Sequence, residues 1–432
     1  MQVVHGRCCG LDVHKRTVVA CVLWTGVGDA VQKEVRTFPT MTGDLLRLGD
    51  WLASRDVRQV AMESTGIFWR PIYNLIEEGR TITLVNAQHI KAVPGHKTDV
   101  RDSEWLADLL RHGLLQPSFI PPAPIRELRE VTRYRAALVA QHTAEVNRLH
   151  KVLETANLKL SSVATDVLGV SGRHMLAAII AGEEDAGTLA ELALGKLRAK
   201  LPELRRALDG RVKAHHRLLL EQILTHLDFL EAAVGDLEAE VARLLTPYEE
   251  ATALLLTIPG IGAVVAAAIV AEIGVDMTRF LSAKHLASWA GVCPGNNQSG
   301  GKRRSGKPTK GDTWLRAMLG EAAWALSRTK GTYLAAQYHR LARRRGKPKA
   351  LLALAHSLLV VVYHVLRTKR PYKELGADYF DKLDADRLQR HHVRRLEHLG
   401  YDVTLTKRDA EQTPVTSPST ERTALSIAGG FS

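Results

Sequence analysis

The sequence predicts an α/β domain with a mixed sheet over residues 7–115 and a long helical stretch over 116–250. A mostly helical region over 251–375 follows, and then a polar extension over 376–432. Three observations predict this. Short β-rich runs alternate with helical patterns as far as Leu115. Prolines in "LLQPSFIPPAP", residues 114–124, then break the alternation. Beyond them apolar residues recur at helical spacing.

The elements follow in order. "CCGLDVH" and "TVVACVLW" are strands joined by "KR", a hairpin-like start, and "VQKEVRTFPT" is a third strand. "TGDLLRLGDWLAS" has a capped helical period; "VRQVAMES" is a strand, "GIFWRPIYNLIEEG" a helix and "TITLVNA" a final strand. "KTDVRDSEWLADLL" closes the domain as a helix, with Asp99 as a cap, Asp102 three residues on, and an apolar face of Trp105, Leu106, Leu109 and Leu110. From Ile125, the positions Leu128, Val131, Arg135, Leu138, His142, Glu145, Leu149 and Val152 keep a seven-residue spacing, the mark of a long amphipathic, coiled-coil-like helix. Its polar inward positions weaken that mark. A second such region ends at Leu245, and pattern alone leaves open whether the two fold back or pair between subunits. After "YKELGADYF" the chain turns polar, and from Lys407 it has the composition of a disordered tail.

Lys plus Arg outnumber Asp plus Glu by 59 to 46, a net charge of +13, which favours a polyanionic partner and nucleic acid over a membrane. Cys8, Cys9, Cys21 and Cys293 lack metal-site spacing and read as buried thiols. The N-terminus shows no signal-peptide pattern. The apolar stretches "LLLTIPGIGAVVAAAIVAEIG" and "ALLALAHSLLVVVYHVL" read as buried helices, so a soluble cytoplasmic protein without a membrane partner is expected.

Candidate chemistry sits in two regions. Asp12 ends the first strand, Glu63 ends the fourth, and Asp99 and Asp102 open the last helix of the first domain. Strand ends and following helix starts converge on one edge of an α/β sheet. Four carboxylates there suit two Mg²⁺ ions at about 4 Å separation, placed to activate an attacking oxygen and stabilise a leaving one. Taken singly, each acid is equally well a solvated strand end or a cap. In the third region Gly260 and Gly262 of "PGIG" form a helix-hairpin-helix-like turn, which presents backbone N–H groups to phosphate unless it only packs the core. The following loop, "CPGNNQSGGKRRSGKPTKGDTWLR", concentrates Lys302, Arg303, Arg304, Lys307 and Lys310 against Asp312 alone. It is either a solvated flexible linker or a phosphate site. Ser299 and Ser305 both precede glycine there, and local chemistry does not choose between them as a nucleophile. "LARRRGKPKA" and "RTKRPYK" add basic patches that read as phosphate contacts.

The motifs "GLDVHK", "MESTGIFWRPIYNLIEEG", "VNAQHIKAVPGHKTDVRDSEWLADLLRHGLL", "LTIPGIG" and "WAGVCPGNNQSGGKRRSGKPTKGDTWLRAML" occur in order over about residues 7–370. Together they resemble the DEDD transposases of the insertion-sequence family numbered one hundred and ten, bridge-RNA-guided recombinases. The resemblance implies a RuvC-like (RNase H-like) first domain with its acidic tetrad on Asp12, Glu63, Asp99 and Asp102. It implies a coiled-coil dimerisation region and a helical transposase domain. In that domain the serine nucleophile, in a Pro-x4-Ser-Gly context, falls on Ser299 after Pro294, and Lys310, Gly311 and Arg316 match downstream. The implied activity is excision and insertion of a mobile element with Mg²⁺ and a 5′-phosphoserine intermediate. The resemblance further implies a noncoding bridge RNA that pairs with target and donor double-stranded DNA, active sites composite across a tetramer built from homodimers, and work at the bacterial nucleoid. The extension after about residue 375 departs from short members of that family. Two other readings compete: a metal-dependent, Holliday-junction-resolvase-like nuclease that needs no serine, and a non-catalytic helix-hairpin-helix DNA-binding protein whose acids are caps.

Overall fold

A computed structural model describes residues 2–26, 30–64, 66–86, 102–294, 297–305, 308, 311–383 and 385–406, with backbone alone at 297–299, 303–305 and 388. The expected disordered tail from Lys407 lies outside the described residues. The chain divides into two compact units, Met1–Arg126 and Glu127–Ser432.

The first unit is built on a five-stranded sheet of order β3-β2-β1-β4-β5. Its strands are β1 (Arg7–Val13), β2 (Thr17–Thr25), β3 (Val31–Pro39), β4 (Gln59–Glu63) and β5 (Thr81–Val85). β1, β2 and β3 form an antiparallel meander, whereas β4 runs parallel to both β1 and β5. This is the mixed sheet that the sequence predicts, and the strands agree with the predicted runs. The helices α1 (Thr42–Ser54) and α2 (Trp69–Ile76) supply the connections, and α3 (Asp102–Arg111) follows β5 in sequence.

Strand alternation divides the two faces. Cys9, Leu11 and Val13 of β1 join Val60 and Met62 of β4 and the apolar sides of α1 and α2 in one core. Cys8 of β1, Cys21 and Leu23 of β2 and Ala61 of β4 face the other way, onto Leu106, Ala107 and Leu110 of α3. The three cysteines of the sheet are buried as expected, whereas Cys293 of the second unit is half-exposed, and burial pushes the Cys8 thiol up to about 12 despite the nearby Arg111 cation.

In the second unit the seven-residue stripe lies on α4 (Ala123–Thr155), and α7 (Ala214–Leu245) returns antiparallel to it within the same chain. Arg135 donates to Glu238 at 3.0 Å, and His142 and Glu145 meet Glu231 and His226 at 3.2 Å each. The polar inward positions therefore mark cross-helix partners rather than a defect in the stripe. Toward the tip the pairing turns apolar, with Leu149 and Leu153 packed with Leu220, Ile223 and Leu227. A small helical cap closes the tip, built mainly from α5 (Val170–Ala181) and α6 (Leu201–Leu208).

The remainder is a helical core of α8 (Glu249–Leu256), α9 (Ala263–Ile273), α10 (Ala283–Trp289), α11 (Thr313–Leu326), α12 (Tyr333–Arg345) and α13 (Lys347–Thr368). Among the described residues only α13 is long and apolar enough to cross a membrane. One side of it, from Leu354 through Leu358, Val362 and Leu366, is buried, and the Tyr363 hydroxyl donates to the Phe280 carbonyl at 3.3 Å. That is the packing of a core helix, as the sequence reading expects. The polar extension is partly helical, at Tyr379–Leu383 and in α14 (Ala385–Glu397), which its composition does not foretell.

Candidate active site

The acidic corner of the first unit follows from the alternation of β1. Asp12 is two residues beyond Gly10 and four beyond Cys8, so it belongs to the face covered by α3. The parallel register pairs Gly10 with Ala61 and Leu11 with Met62, so the next positions along are Asp12 and Glu63. They share one face on adjacent strands, with backbones about 5 Å apart. Both are half-buried, whereas Asp102 is exposed at the first residue of α3.

Gly10 sets the approach of that helix. A Cβ there would lie 2.1 Å from the Ser103 carbonyl oxygen and 2.5 Å from the Ala107 nitrogen. The start of α3 thus rests on bare backbone, next to the strand end that carries Asp12. Asp12 Oδ2 lies 3.0 Å from His14 Nε2, a second group on the same strand face. Asp99 lies outside the described residues. Among the described residues no three His, Cys, Asp or Glu side chains close into a metal-binding group.

Apart from the His14 imidazole, the donors at this edge are of one kind. Asp12, Glu63 and Asp102 offer hard carboxylate oxygens, the ligands that Mg²⁺ prefers. The soft alternative on the same face is withdrawn, because the Cys8 Sγ donates to the Ala107 carbonyl at 3.3 Å and its thiol is held protonated by burial.

In the second unit the described residues of the serine loop include an antiparallel hairpin, an ordered element within what composition also allowed to be a flexible linker. β6 (Asn297–Ser299) and β7 (Lys302–Ser305) pair Ser299 with Lys302, and Pro294 bridges Pro308 below them. Gly300 and Gly301 make the turn, with φ of +57° and +74°. Two successive left-handed residues suit the right-handed twist of a hairpin and favour glycine at both positions. Register separates the two serines: Ser299 flanks the turn, whereas Ser305 pairs with Asn297 at the open end. Lys302 is exposed opposite Ser299, and Arg303 and Arg304 continue β7. Lys307 and Lys310 lie outside the described residues.

The hairpin is rooted through Gly311 and Asp312, and through Arg133 and Glu272, two residues that the sequence pattern does not single out. Gly311 crosses so close to the chain at Ala290 and Gly291 that a Cβ would lie 2.2 Å from the Gly291 nitrogen. Next to it, Asp312 caps α11 by accepting from the Leu315 N–H at 2.8 Å, and it accepts from Arg133 at 3.0 Å. Asp312 is therefore committed to the helix and to Arg133. Arg133 also grips the buried Glu272 of α9 in a bidentate pair at 2.7 Å on both arms, and Arg129 adds a contact at 3.2 Å. Burial alone would lower the Arg133 pKa, but the hydrogen bonds and charges of Glu272 and Asp312 outweigh it and raise it. The signal in the sequence was Glu272 itself, a carboxylate inside the apolar run "VVAAAIVAEIG" that requires a buried cation.

The PGIG turn divides its roles. Gly260, at φ +83°, packs on α11, where a Cβ would meet Leu326 at 2.6 Å. Gly262 is exposed and precedes the first turn of α9, with open space beside it. Packing accounts for Gly260, while Gly262 keeps an accessible helix start. Arg316 is half-buried on α11.

Comparison with known proteins follows the same two regions. A DEDD-type transposase model of the IS110 group matches residues 9–158, and a model described as transposase of the IS116/IS110/IS902 family matches residues 252–339. Together these cover more than half of the chain. A probable family 20 transposase of Pseudomonas aeruginosa is 26% identical over 319 residues, covering 73% of this chain and 85% of its own. An uncharacterized protein of insertion element IS116 from Streptomyces clavuligerus is 26% identical over 329 residues, covering 68% and 79%. A pilin gene-inverting protein of Moraxella bovis is 38% identical over 148 residues, covering 32% and 45%.

Proposed function

Because the chain belongs to the IS110/IS116 family of transposases, enzymes that cut and rejoin DNA, we propose that it excises and inserts a mobile element by serine-mediated strand exchange. The carrying observation is the acidic corner: Asp12 and Glu63 in register on one sheet face, beside the start of α3 at Asp102. The strand order and the acids at the ends of β1 and β4 support a RuvC-like reading of the first unit.

In this reading Asp12, Glu63, Asp99 and Asp102 hold Mg²⁺, which when bound supplies charge stabilisation at the scissile phosphate. Ser299 Oγ attacks the phosphorus as the DNA 3′-oxygen leaves, giving a 5′-phosphoserine link and a free 3′-hydroxyl. The serine proton passes to solvent or to a carboxylate, and the leaving 3′-oxygen takes up one proton from the same source. A 3′-hydroxyl from the partner strand reverses the step, so the bond is conserved rather than hydrolysed. Lys302, across the turn from Ser299, and Arg303 and Arg304 beyond it supply positive charge for the phosphate. Gly262, Lys307, Lys310 and Arg316 contribute backbone N–H or cationic contacts to nucleic acid. The basic charge suits a guide RNA as well as double-stranded DNA, and the long helical hairpin suits pairing of subunits into a dimer and then a tetramer. The working place is the bacterial nucleoid.

The test is a nicked duplex that traps covalent adducts. The wild-type chain forms a protein–DNA adduct with Mg²⁺, Ser299→Ala forms none, and Asp102→Ala binds DNA but forms none. Normal recombination by Ser299→Ala refutes the serine step. Cleavage by that variant without an adduct would instead favour the hydrolytic, resolvase-like nuclease, the second reading that the acidic corner supports by itself. Cleavage undiminished in Asp102→Ala refutes the role of the acids.

A further inference from the structure

The extension beyond residue 375 has no part in the chemistry above, yet it is anchored and carries an ordered pattern. Glu374 Oε1 accepts from the Tyr333 N–H at 2.7 Å and from the Gly376 N–H at 2.9 Å, which fixes the chain at the start of α12. Phe380 then stacks on Tyr333 with ring centres 5.1 Å apart, Tyr379 meets the same ring edge-on at 5.0 Å, and the Arg340 guanidinium lies 5.3 Å over Phe380. Arg343, Arg344 and Arg345 begin about one turn beyond Arg340 and are exposed, as are Lys347 and Lys349.

From this anchor α14 continues with Arg387, Arg390, His391, Arg394, Arg395 and His398 at steps of three and four residues. At 3.6 residues per turn these six positions fall on one side of the helix axis and its C-terminal continuation, a stripe about 17 Å long. All six are exposed. Among the described residues neither Arg394 nor Arg395 meets a carboxylate, and Arg390 spends its Nε on the Asp386 carbonyl. The remaining positions mix Asp386, Gln389, His392 and Glu397 with Leu388, Val393 and Leu396.

We propose that α14 is a duplex-DNA-binding surface that grips the phosphate backbone outside the catalytic regions. Charge complementarity identifies the partner. A stripe of about 17 Å spans about five phosphates of one strand, and a helix fits the major groove of B-form DNA, whereas the A-form groove is too deep and narrow to admit side chains. The surface reads no sequence; it adds affinity for duplex DNA. It stands whether or not Ser299 is the nucleophile.

The experiment uses the full chain with Arg387, Arg390, Arg394 and Arg395 all replaced by Gln, which keeps the helix propensity. Binding to a mixed-sequence 30-base-pair DNA duplex is followed by fluorescence anisotropy against salt concentration. The expected result is at least about a tenfold loss of affinity near 0.1 M salt, with the slope of log K against log salt shallower by about 2 to 4. The corresponding four Arg→Lys changes retain the slope, and Arg206→Gln with Arg211→Gln leaves it unaltered. An unchanged slope in the four-Gln chain overturns the proposal. So does a loss confined to an RNA duplex of equal length or to vesicles with 30% phosphatidylserine, and so does failure of the Lys chain to restore binding.

Discussion

Replacing Glu272 by Gln removes one charge from the best-defined polar network of the second unit. Glu272 is 2% exposed and accepts both arms of Arg133 at 2.7 Å, while Arg129 approaches at 3.2 Å. Removing one partner of a buried ion pair costs about 3–5 kcal/mol, because the remaining charge loses its compensation in a poorly solvated place. Two features reduce that figure here. The Arg133 side chain is 25% exposed, so water reaches part of it, and Asp312 still accepts from it. Gln also keeps one acceptor oxygen, which leaves roughly 2–3 kcal/mol for Glu272→Gln and about 3–5 kcal/mol for Glu272→Ala. Replacing Arg133 and Glu272 by Met, singly and together, closes a cycle. The double change removes both charges of the pair, though Asp312 and Arg129 each lose a contact, so it costs at least about 1 kcal/mol less than the sum of the two singles. The assay is native-state hydrogen exchange of the α9 amides, which reports the opening free energy locally and does not require the whole chain to melt as one. Single and double changes that add within about 0.5 kcal/mol would show no coupling and refute the argument.

Gly10→Ala forces α3 off the sheet, since the new Cβ would meet backbone atoms that cannot rotate away. It is expected to destabilise the first unit by roughly 2–4 kcal/mol in urea melts and to lower the DNA cleavage proposed above by about 100-fold, as a displacement near 1 Å does at a positioned site. Wild-type cleavage in a folded Gly10→Ala chain would deny that the start of α3 takes part. Gly301→Ala strains the hairpin turn at φ +74°, and limited trypsin digestion is expected to cut faster between Lys302 and Lys310 than in the wild type. Iodoacetamide at pH 7–9 should modify Cys293 before Cys8 and Cys9. Burial raises all three thiols, but only Cys293 is half-exposed, and a thiol held near 12 supplies almost no thiolate below pH 9. Mass mapping that finds Cys8 modified first would contradict the burial of the α3 face.

The sheet was legible because its signal is short-range. Period-two runs such as "TVVACVLW" fix the strands, and the hairpin "KR" fixes the first pairing. The placement of Asp12 and Glu63 at strand ends was legible for the same reason, although their shared face rests on register, which sequence pattern does not state. The closeness of α3 to Gly10 was not legible, because a glycine within a strand does not reveal what crosses it. The serine hairpin was hidden by its composition: Gly, Lys and Arg read as solvated loop, and a three-residue strand is too short to show alternation. Arg133 looked like one more charge on a helix, since its partners lie 139 and 179 residues away. The same distance effect disguised Arg135, His142 and Glu145, whose partners sit on a helix that the pattern could not orient.

That antiparallel hairpin also orders its own assembly. The cross-helix pairs become more distant in sequence toward the root, from 89 residues at His142–Glu231 to 103 at Arg135–Glu238. Each pair nearer the tip, once made, shortens the free loop that the next must close, so the arms are cheapest to join from the cap downward. The polar pairs then act as teeth that admit one register. A slip by one turn would set Glu145 and His142 against the wrong side chains. The residues that made the stripe look flawed are the ones that tell the two arms where to stop.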